Sequence, residues 1–396
     1  MPVLAPDLSP TAPPVPPSLA RLGLPGRKIA FVLPGLGAGG SEHVVSLLCN
    51  AFAERGWSVT LLAFVEPGTA AFYDADGRIP LVSLSLPADS KRGRLLGTFG
   101  RVRRLRAAFK RLQPDLVVSF LTRTNIISLL AAPRCPLIIS ERNNAAQQQV
   151  GPVWSFLRRR LYPRASALVT MTAGALAQFC SFAPPVTRVI PNHAAPCSSG
   201  RVDGEGRLVA VGRLVPQKGF DLLLEAFCRI ASDHPGWTLT IHGEGPERAA
   251  LEAQRARLSL DGRVHLPGVT GKPGDWMRAA DLFVLSSRFE GWGLVVGEAM
   301  AAGIPTVAFD CDFGPAEMIE HERSGLLVPP EDIGALAATL GRAMRDRELR
   351  NRLAAAGQAA MRRFAPEAIV DHWFELAEEL LDQPHHRASG RDRHAA

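Results

Sequence analysis

Short apolar runs alternate with longer amphipathic segments along most of this chain. The runs have the length and composition of buried strands, and they cover residues 27–33, 58–64, 115–121, 137–140, 167–171, 207–212, 237–241, 264–268, 281–285, 305–310 and 325–328. Between several of them, apolar residues recur every three or four positions, as in residues 44–55 and 220–230, which predicts helices. Strands that alternate with helices in this way form parallel sheets. The pattern therefore predicts an α/β protein.

The length and the breaks in this pattern predict two domains. The chain has 396 residues, whereas a single hydrophobic core stops growing at about 250 to 300 residues. Stretches rich in Pro, Ser and Gly interrupt the pattern near the start and in the middle. We predict a disordered lead-in at 1–26, an N-terminal domain at 27–193, a linker at 194–206, a C-terminal domain at 207–364, a C-terminal helix at 365–382 and a disordered tail at 383–396.

The composition is that of a globular protein whose cysteines are reduced thiols. It is 46% hydrophobic and 21% charged, and its six Cys are scattered without the spacing of metal ligands. No run of about 18 uncharged apolar residues occurs, so no transmembrane helix is expected. The first 26 residues also lack the basic start and apolar core of a secretory signal. These features predict a cytoplasmic location.

Positive charge is concentrated in the first half of the chain. Residues 1–200 hold 22 Lys and Arg against nine Asp and Glu, whereas residues 201–396 hold 23 against 29. Residues 91–112 carry nine Lys and Arg, no acid, and apolar residues at helical spacing. We expect this basic amphipathic helix to contact an anionic membrane surface, at the inner face of the cytoplasmic membrane. The alternative is an apolar stripe packed on the domain beneath a solvated basic face. Nucleic acid is not an expected partner, because no recognition motif accompanies the charge.

Two carboxylates flank a predicted helix start in the second half. Glu290 follows the strand at 281–285, and Glu298 lies one turn into a helix predicted over 294–302. Ligands of parallel sheets bind beyond the carboxyl ends of the strands, and helical side chains lean toward the helix N-terminus. Both carboxylates can then face one crevice, with free amide groups between them. Such a crevice suits the ribose and diphosphate of a nucleotide sugar, although Glu is also common near helix N-termini for dipole reasons alone.

A pair of cations is predicted to bind the diphosphate. Arg213 follows the strand at 207–212, and Lys218 precedes the helix at 220–230. Arg offers a fork of donors and Lys a point charge, and both suit phosphate oxygens. The alternative is two solvated surface cations.

Polar residues also follow the strands of the first half. Ser119 lies near the end of one strand, and Glu141, Arg142 and Asn143 follow the next. In a parallel sheet such residues line a cleft, although helix caps have the same composition. We assign Ser119, Arg142 and Asn143 to acceptor or sugar contacts.

The glycines after the first strand permit another function. Gly35, Gly37 and Gly40 satisfy the spacing of a dinucleotide-binding loop, and Glu66 lies near the end of the second strand. An NAD-dependent oxidoreductase is therefore an alternative. A glycoside hydrolase, which also uses paired carboxylates, and a non-catalytic membrane- or glycan-binding protein based on residues 91–112 are two more.

Taken in order, these motifs resemble the retaining glycosyltransferases of family 4. Glu290 and Glu298 have the family's spacing, with seven residues between them, and the resemblance runs from residue 28 to about residue 380. The other matching motifs are Gly39-Gly40-x-Glu42, Gly212-Arg213 with Lys218-Gly219, and Gly243-x-Gly245-Pro246. Residues 140–143 and 310–317 resemble the subgroup that adds hexoses or N-acetylhexosamines to polyprenyl-diphosphate-linked or cell-surface glycans.

The resemblance implies the GT-B architecture. In it, two doubly wound, Rossmann-like domains face each other across a cleft, and a C-terminal helix crosses back to the first domain. The second domain would bind a nucleotide diphosphate sugar, with UDP as the favoured nucleotide, and the first domain would bind the acceptor. The implied catalytic residues are Glu290, Arg213 and Lys218, and the implied donor-binding residues are Glu298, Gly293, Leu294, Gly39, Gly40, Gly245 and Gly268.

The resemblance also implies a reaction without a metal or a cofactor. Residues 74–76 and 310–312 have the Asp-x-Asp form of a metal motif found in another glycosyltransferase fold. Because Asp is also common in turns, we predict no metal site. The departing phosphate would take the acceptor's proton, so that no strong protein base is needed.

One departure from the family concerns a histidine. Many members carry it after the fourth strand of the first domain, whereas residues 118–120 of this chain include Ser119 and no His. We therefore expect Ser119 or Arg142 to replace it beside the sugar. His43 lies close to the Gly-rich loop, and a structural role is the more common one for a His in a first helical turn.

Overall fold

The computed structural model describes residues 26–37, 39–73, 76–85, 94–148, 150–194, 206–270 and 274–382. The predicted lead-in apart from Gly26, the predicted linker apart from its two end residues, and the predicted tail lie outside these ranges. The first three residues of the basic segment at 91–112 and Asp74 of the Asp-x-Asp motif do so too.

The first domain is built on a parallel sheet of seven strands in the order β3-β2-β1-β4-β5-β6-β7. Its strands are β1 (Lys28–Leu33), β2 (Ser58–Ala63), β3 (Leu81–Ser83), β4 (Leu116–Phe120), β5 (Leu137–Ser140), β6 (Ala167–Thr170) and β7 (Val186–Val189). Its helices are α1 (Gly40–Glu54), α2 (Arg94–Leu112), α3 (Thr122–Ala131), α4 (Pro152–Leu161) and α5 (Ala173–Ala177).

The second domain has a parallel sheet of six strands in the order β10-β9-β8-β11-β12-β13. Its strands are β8 (Arg207–Val211), β9 (Thr238–His242), β10 (Val264–Gly268), β11 (Leu282–Leu285), β12 (Thr306–Phe309) and β13 (Leu326–Val328). The helices are α6 (Phe220–Ile230), α7 (Arg248–Arg257), α8 (Leu294–Ala301), α9 (Pro315–Met318), α10 (Ile333–Arg345), α11 (Arg347–Met361) and α12 (Pro366–Asp382).

Apolar residues cover both faces of the first sheet, as a buried parallel sheet requires. In β1, Ile29 and Phe31 belong to a core shared with α1 and α12. The intervening Ala30 and Val32 belong to a core shared with α2, α3 and α4. Because successive side chains of a strand point to opposite faces, the near-continuous apolar run of β1 places helices on both sides.

The carboxyl edges of the two sheets face each other. A Cβ added to Gly40, at the start of α1, would lie 3.5 Å from Leu294 at the start of α8. A Cβ on Gly291 would lie 2.7 Å from the carbonyl oxygen of Arg142. These residues follow the carboxyl ends of β1, β5 and β11, so the strand ends of both domains line one cleft, as predicted.

Helix α12 crosses back from the second domain to the first. The Phe374 ring stacks on Phe52 of α1 at a centroid distance of 4.0 Å, and the Asp371 carboxylate pairs with Arg55. Trp373 is fully buried in the same core. The predicted doubly wound GT-B arrangement with a crossing helix is therefore confirmed.

Candidate functional site

Lys218 and Glu290 form an ion pair at the carboxyl edge of the second sheet. The Lys218 Nζ lies 2.6 Å from the Glu290 Oε1, and the Ser287 hydroxyl donates to the same oxygen at 2.7 Å. Both charged side chains are largely buried, which keeps the attraction between them strong. The sequence predicted both residues in the site, and the structure brings them into direct contact.

A short 3-10 turn, Pro216–Lys218, positions the lysine. Gly219 follows it with φ +60°, and a Cβ there would overlap the carbonyl oxygen of Ser286. The Ser286 hydroxyl in turn donates to the Lys218 carbonyl at 2.9 Å. Only glycine adopts this conformation at this distance, so Gly219 holds the turn against the end of β11.

The glycines at 243, 245 and 268 bring two further loops onto the end of β8. The Gly243 amide donates to the Gly268 carbonyl at 2.9 Å, and a Cβ on Gly245 would overlap the carbonyl oxygen of Leu214. Arg213 lies between these contacts with an exposed side chain. Gly245 and Gly268, predicted to bind the donor, therefore have a backbone packing role beside Arg213.

The first turn of α8 lies at the cleft. Gly293 caps it in the left-handed region, with φ +78° and ψ +53°, and Leu294 is its first residue. The unpaired amide groups of such a helix start favour an anion. Glu298, one turn further on, has its Oε1 3.5 Å from the Nδ1 of His43 in the first domain.

Gly39 and Gly40 start helix α1 on the opposite side of the cleft. Gly39 is the N-cap residue, and a Cβ there would overlap the Glu42 carboxylate, which folds back over it. Burial raises the pKa of Glu42. A hydrogen bond to its own backbone amide and the charge of Arg213 partly offset this increase. The Gly-rich loop thus places a carboxylate of the first domain near a cation of the second.

Arg142 is a buried cation on the first-domain side of the cleft. Its guanidinium donates to the Ser140 hydroxyl and to the Asn192 side chain, each at 2.8 Å. It lies over the rings of Phe120 and Trp373, at 5.4 and 5.3 Å from their centroids. Burial lowers the pKa of Arg142 to about 9. Its buried Nη2 has no hydrogen-bond partner among the described residues, so this nitrogen has unused hydrogen-bonding capacity.

Two neighbours of Arg142 in the predicted polar cluster lie in different surroundings. Asn143 is exposed and close to Gly291, as expected for a residue of the cleft wall. Glu141 is buried on the other side, where Tyr162 and Thr122 donate to it. Burial raises the pKa of Glu141, and these hydrogen bonds lower it in part.

The structure does not bring Ser119 to the cleft. Ser119 is fully buried, and the Ser128 hydroxyl of α3 donates to its hydroxyl at 3.0 Å. The next residue, Phe120, points to the opposite face of the sheet and contacts Arg142. Ser119 therefore leaves the set of proposed sugar contacts, and Arg142 stays in it.

Three residues at the cleft were not predicted from the sequence. Tyr73 and His193 contact the His43 ring. The Phe313 ring packs so closely on Gly174 of the first domain that a Cβ there would overlap it. Each comes from a loop between elements, and nothing in the local pattern marks it.

Comparisons with known proteins agree with this architecture. Residues 39–193 match the description "Glycosyl transferase 4-like domain", and residues 195–360 match "Glycosyl transferases group 1". HepE of Anabaena, solved in complex with UDP and glucose, is similar with a TM-score of 0.74 and 21% identity, over 89% of this chain and 100% of that one.

Two curated relatives are similar over most of the chain. An exopolysaccharide phosphotransferase of Streptomyces coelicolor is 33% identical over 92% of this chain, which spans only 42% of that protein. A Campylobacter jejuni protein is 26% identical over 89% of this chain and 99% of its own length. Its name is GalNAc-α-(1→4)-GalNAc-α-(1→3)-diNAcBac-PP-undecaprenol α-1,4-N-acetyl-D-galactosaminyltransferase.

The chain has two facing parallel sheets, and each half of the chain matches a glycosyltransferase domain family. Together these findings define a GT-B glycosyltransferase. The chain belongs to the family 4 type of these enzymes. This assignment replaces the oxidoreductase, the hydrolase and the non-catalytic binding protein as interpretations of the sequence.

Proposed function

We propose that the protein is a retaining hexosyl- or N-acetylhexosaminyltransferase that uses a nucleotide diphosphate sugar, with UDP as the favoured nucleotide. The acceptor is a lipid-linked or cell-surface glycan of exopolysaccharide or lipopolysaccharide type. The observation that carries this proposal is the ion pair of Lys218 and Glu290 at the carboxyl edge of the second sheet. Arg213 and the first turn of α8 lie at the same edge. The UDP-bound neighbour HepE and the named acceptor of the Campylobacter relative support the two substrate classes.

The cations act on the leaving group. As the glycosyl–phosphate bond breaks, negative charge develops on the diphosphate and positive charge on the sugar. Arg213 and Lys218, with the amides of Gly293 and Leu294, supply fixed positive charge for the diphosphate. Glu290 holds Lys218 at 2.6 Å and carries a negative charge suited to the sugar side. These residues supply the charge that a metal would otherwise bring, so we propose a reaction without metal or cofactor.

Retention requires the new glycosidic bond to form on the face from which the diphosphate leaves. In the proposed reaction, the acceptor hydroxyl bonds to the anomeric carbon, and its proton passes to the departing phosphate oxygen. The Glu290 Oε1 is paired with Lys218 and accepts a hydrogen bond from Ser287, so the proposed role of Glu290 is to stabilise charge and not to take the proton. This pairing supports a mechanism in which the leaving group accepts the proton.

The acceptor side is proposed to face a membrane. Helices α2, α3 and α4 lie side by side on one face of the first sheet. On their outer side, Phe99 is 69%, Val153 59% and Phe156 64% exposed. The exposed basic residues beside them are Arg101, Arg103, Arg104, Arg106, Lys110, Arg111, Arg123, Arg159 and Arg160.

These helices follow strands of a parallel sheet, so their N-termini lie at the carboxyl edge, which is the cleft side. Phe99 and Val153 belong to the N-terminal parts of α2 and α4, and Phe156 lies at the middle of α4. Apolar side chains amid basic ones suit an anionic bilayer at the inner face of the cytoplasmic membrane. The proposed association is peripheral, because it rests on exposed side chains of α2 and α4. No helix in the described ranges is long and apolar enough to span a bilayer.

The proposal is tested with purified protein and a panel of nucleotide sugars. Thermal-shift measurements identify the donor, and product analysis with a polyprenyl-diphosphate-linked glycan follows. We expect transfer without net release of free sugar. Lys218→Ala should lower turnover on the order of 10² to 10³-fold, as for loss of one charge-stabilising group.

Arg257→Ala provides a matched control, because Arg257 is an exposed cation of the same domain, paired with Glu225 away from the cleft. Its activity should equal that of the unaltered protein. Failure of every nucleotide sugar to bind, or full activity of Lys218→Ala, would contradict the proposed function.

A further inference from the structure

The first turns of α1 and α8 contact each other across the cleft. A Cβ on Gly40 would lie 3.5 Å from the Leu294 side chain. One turn further along both helices, the His43 Nδ1 lies 3.5 Å from the Glu298 Oε1. His43 lies three residues after Gly40, and Glu298 lies four residues after Leu294. Residues at these spacings lie on one face of a helix. His43 is thus a first-domain side chain aimed at a second-domain carboxylate.

Two aromatic rings hold the His43 imidazole in place. Tyr73 stacks on it, with a centroid distance of 4.5 Å and an interplanar angle of 3°. His193 meets it edge to face at 4.6 Å and 78°. Both contacts come from loops of the first domain, so the orientation of the ring is set before any ligand arrives.

The two neighbouring rings are neutral, whereas Glu298 is a charged group that His43 faces at 3.5 Å. Burial lowers the pKa of His193 to about 3, with smaller contributions from His43 and Arg142. Burial raises the pKa of Tyr73, and the charges of Glu298 and Glu42 raise it further. The phenol therefore stays protonated beside the two carboxylates.

The contact leaves the carboxylate free to bind a ligand as well. At 3.5 Å the two atoms attract each other, but the separation is longer than that of a normal hydrogen bond. The Nδ1 has no hydrogen-bond partner among the described residues. A carboxylate has two oxygens and about four lone-pair sites. One oxygen can face His43 while the other accepts from hydroxyl groups.

We propose that His43 is a positioning residue of the nucleotide site, which orients the Glu298 carboxylate toward the ribose hydroxyls from the opposite domain. This inference rests on the proposed function, in which Glu298 binds the ribose of the donor. Its consequence is that ribose recognition requires both domains, because the group that binds and the group that orients it belong to different sheets.

The test compares two nucleotides by isothermal titration calorimetry of the full chain. One is uridine diphosphate, or the nucleoside diphosphate that the donor panel selects, and the other is its 2′,3′-dideoxy form. His43→Leu should weaken binding of the ribose form about tenfold, because a misoriented Glu298 would lose one charge-assisted hydrogen bond to the ribose. Binding of the dideoxy form should change less than about twofold, since it has no hydroxyls for Glu298 to accept from.

Three further variants separate orientation from general damage. His43→Asn retains a donor near the position of Nδ1 and should restore most of the affinity for the ribose form. Adding His43→Leu to Glu298→Gln should weaken binding no further than Glu298→Gln does alone, because the two residues act as one unit. Glu54→Gln, at the far end of α1, should bind both nucleotides as the unaltered protein does.

Two results would overturn the inference while leaving the proposed function intact. One is unchanged affinity of His43→Leu for a nucleotide that the unaltered protein binds. The other is equal weakening of the ribose and dideoxy forms, which would show a structural role. If the unaltered protein binds no nucleoside diphosphate, the proposed function fails, and the inference fails with it.

Discussion

At the scale of single residues, several polar groups at the cleft have partners in the absence of a ligand. Lys218 pairs with Glu290 at 2.6 Å, His43 faces Glu298 at 3.5 Å, and the charge of Arg213 acts on Glu42. A buried charge without such a neighbour is costly. We therefore expect ligand binding to exchange internal partners for phosphate and hydroxyl groups, so that variants that remove one partner change both the free and the bound state.

His193 makes folding sensitive to mild acid. Its pKa is lowered to about 3 in the folded protein by burial and by the nearby charges of His43 and Arg142, whereas an unfolded His has a pKa of about 6.5. Between these values the unfolded chain binds a proton at His193 that the folded protein does not. The contribution of neutral His193 to the free energy of unfolding is therefore complete above pH 6.5 and is lost as the pH drops toward 3. The loss is about 1.4 kcal/mol per pH unit.

We therefore expect the unaltered protein to lose about 2 kcal/mol more unfolding free energy than His193→Phe between pH 7.5 and pH 5. Urea unfolding at the two pH values measures this difference. His372→Gln is the control, because His372 is exposed on α12 and its replacement should leave the pH dependence unchanged. Equal losses in the unaltered protein and His193→Phe would show that His193 titrates normally.

At the scale of elements, the turn that carries Lys218 depends on one glycine. Gly219→Ala places a Cβ in the left-handed region and against the Ser286 carbonyl. We expect a loss of about 2 kcal/mol or more of unfolding free energy, together with weaker nucleoside diphosphate binding as Lys218 moves. Gly236→Ala is the control, because no atom of the described residues beyond its chain neighbours lies within 4 Å of the added Cβ. Equal stability of the two variants in urea unfolding would contradict this account of the turn.

The outer faces of α2 and α4 are expected to bind anionic lipid. Replacing Phe99 and Phe156 by Ser removes two large exposed apolar groups, and each should weaken partitioning to phosphatidylglycerol vesicles about tenfold. Neutralising Arg101, Arg103 and Arg104 should release the protein as well. Val269→Ser is the control, because Val269 is 55% exposed but belongs to the second domain. Vesicle co-sedimentation that is the same for all these variants would refute the proposed surface.

Elements with strong apolar patterns were predictable from the sequence, and weakly patterned ones were not. Strand β5 and helix α6 have their predicted bounds. Helix α1 begins at Gly40, four residues before the predicted start, because its first turn lacks an apolar periodicity. Strand β3 was missed, since it has three residues, none of them fully buried. Ser119 was expected at the cleft because it lies near the end of β4, but its side chain is buried against α3. The expectation ignored that successive strand residues face opposite sides of the sheet.

At the scale of the whole molecule, the site is completed by contacts between residues far apart in the sequence. Periodicity and motif spacing located Glu290, Glu298, Arg213 and Lys218 within one domain. They could not locate His43 against Glu298, since that contact depends on how the two sheets face each other. The crossing helix α12 fixes this arrangement through its packing on α1.

The central claim is that the second domain binds the donor by its diphosphate while the first domain completes the site. The most direct test is a crystal structure of the chain with the selected nucleotide sugar bound. We predict phosphate oxygens within about 3 Å of the Lys218 Nζ and the Arg213 guanidinium, and ribose hydroxyls bonded to Glu298. A donor bound away from both cations and both carboxylates would contradict the account.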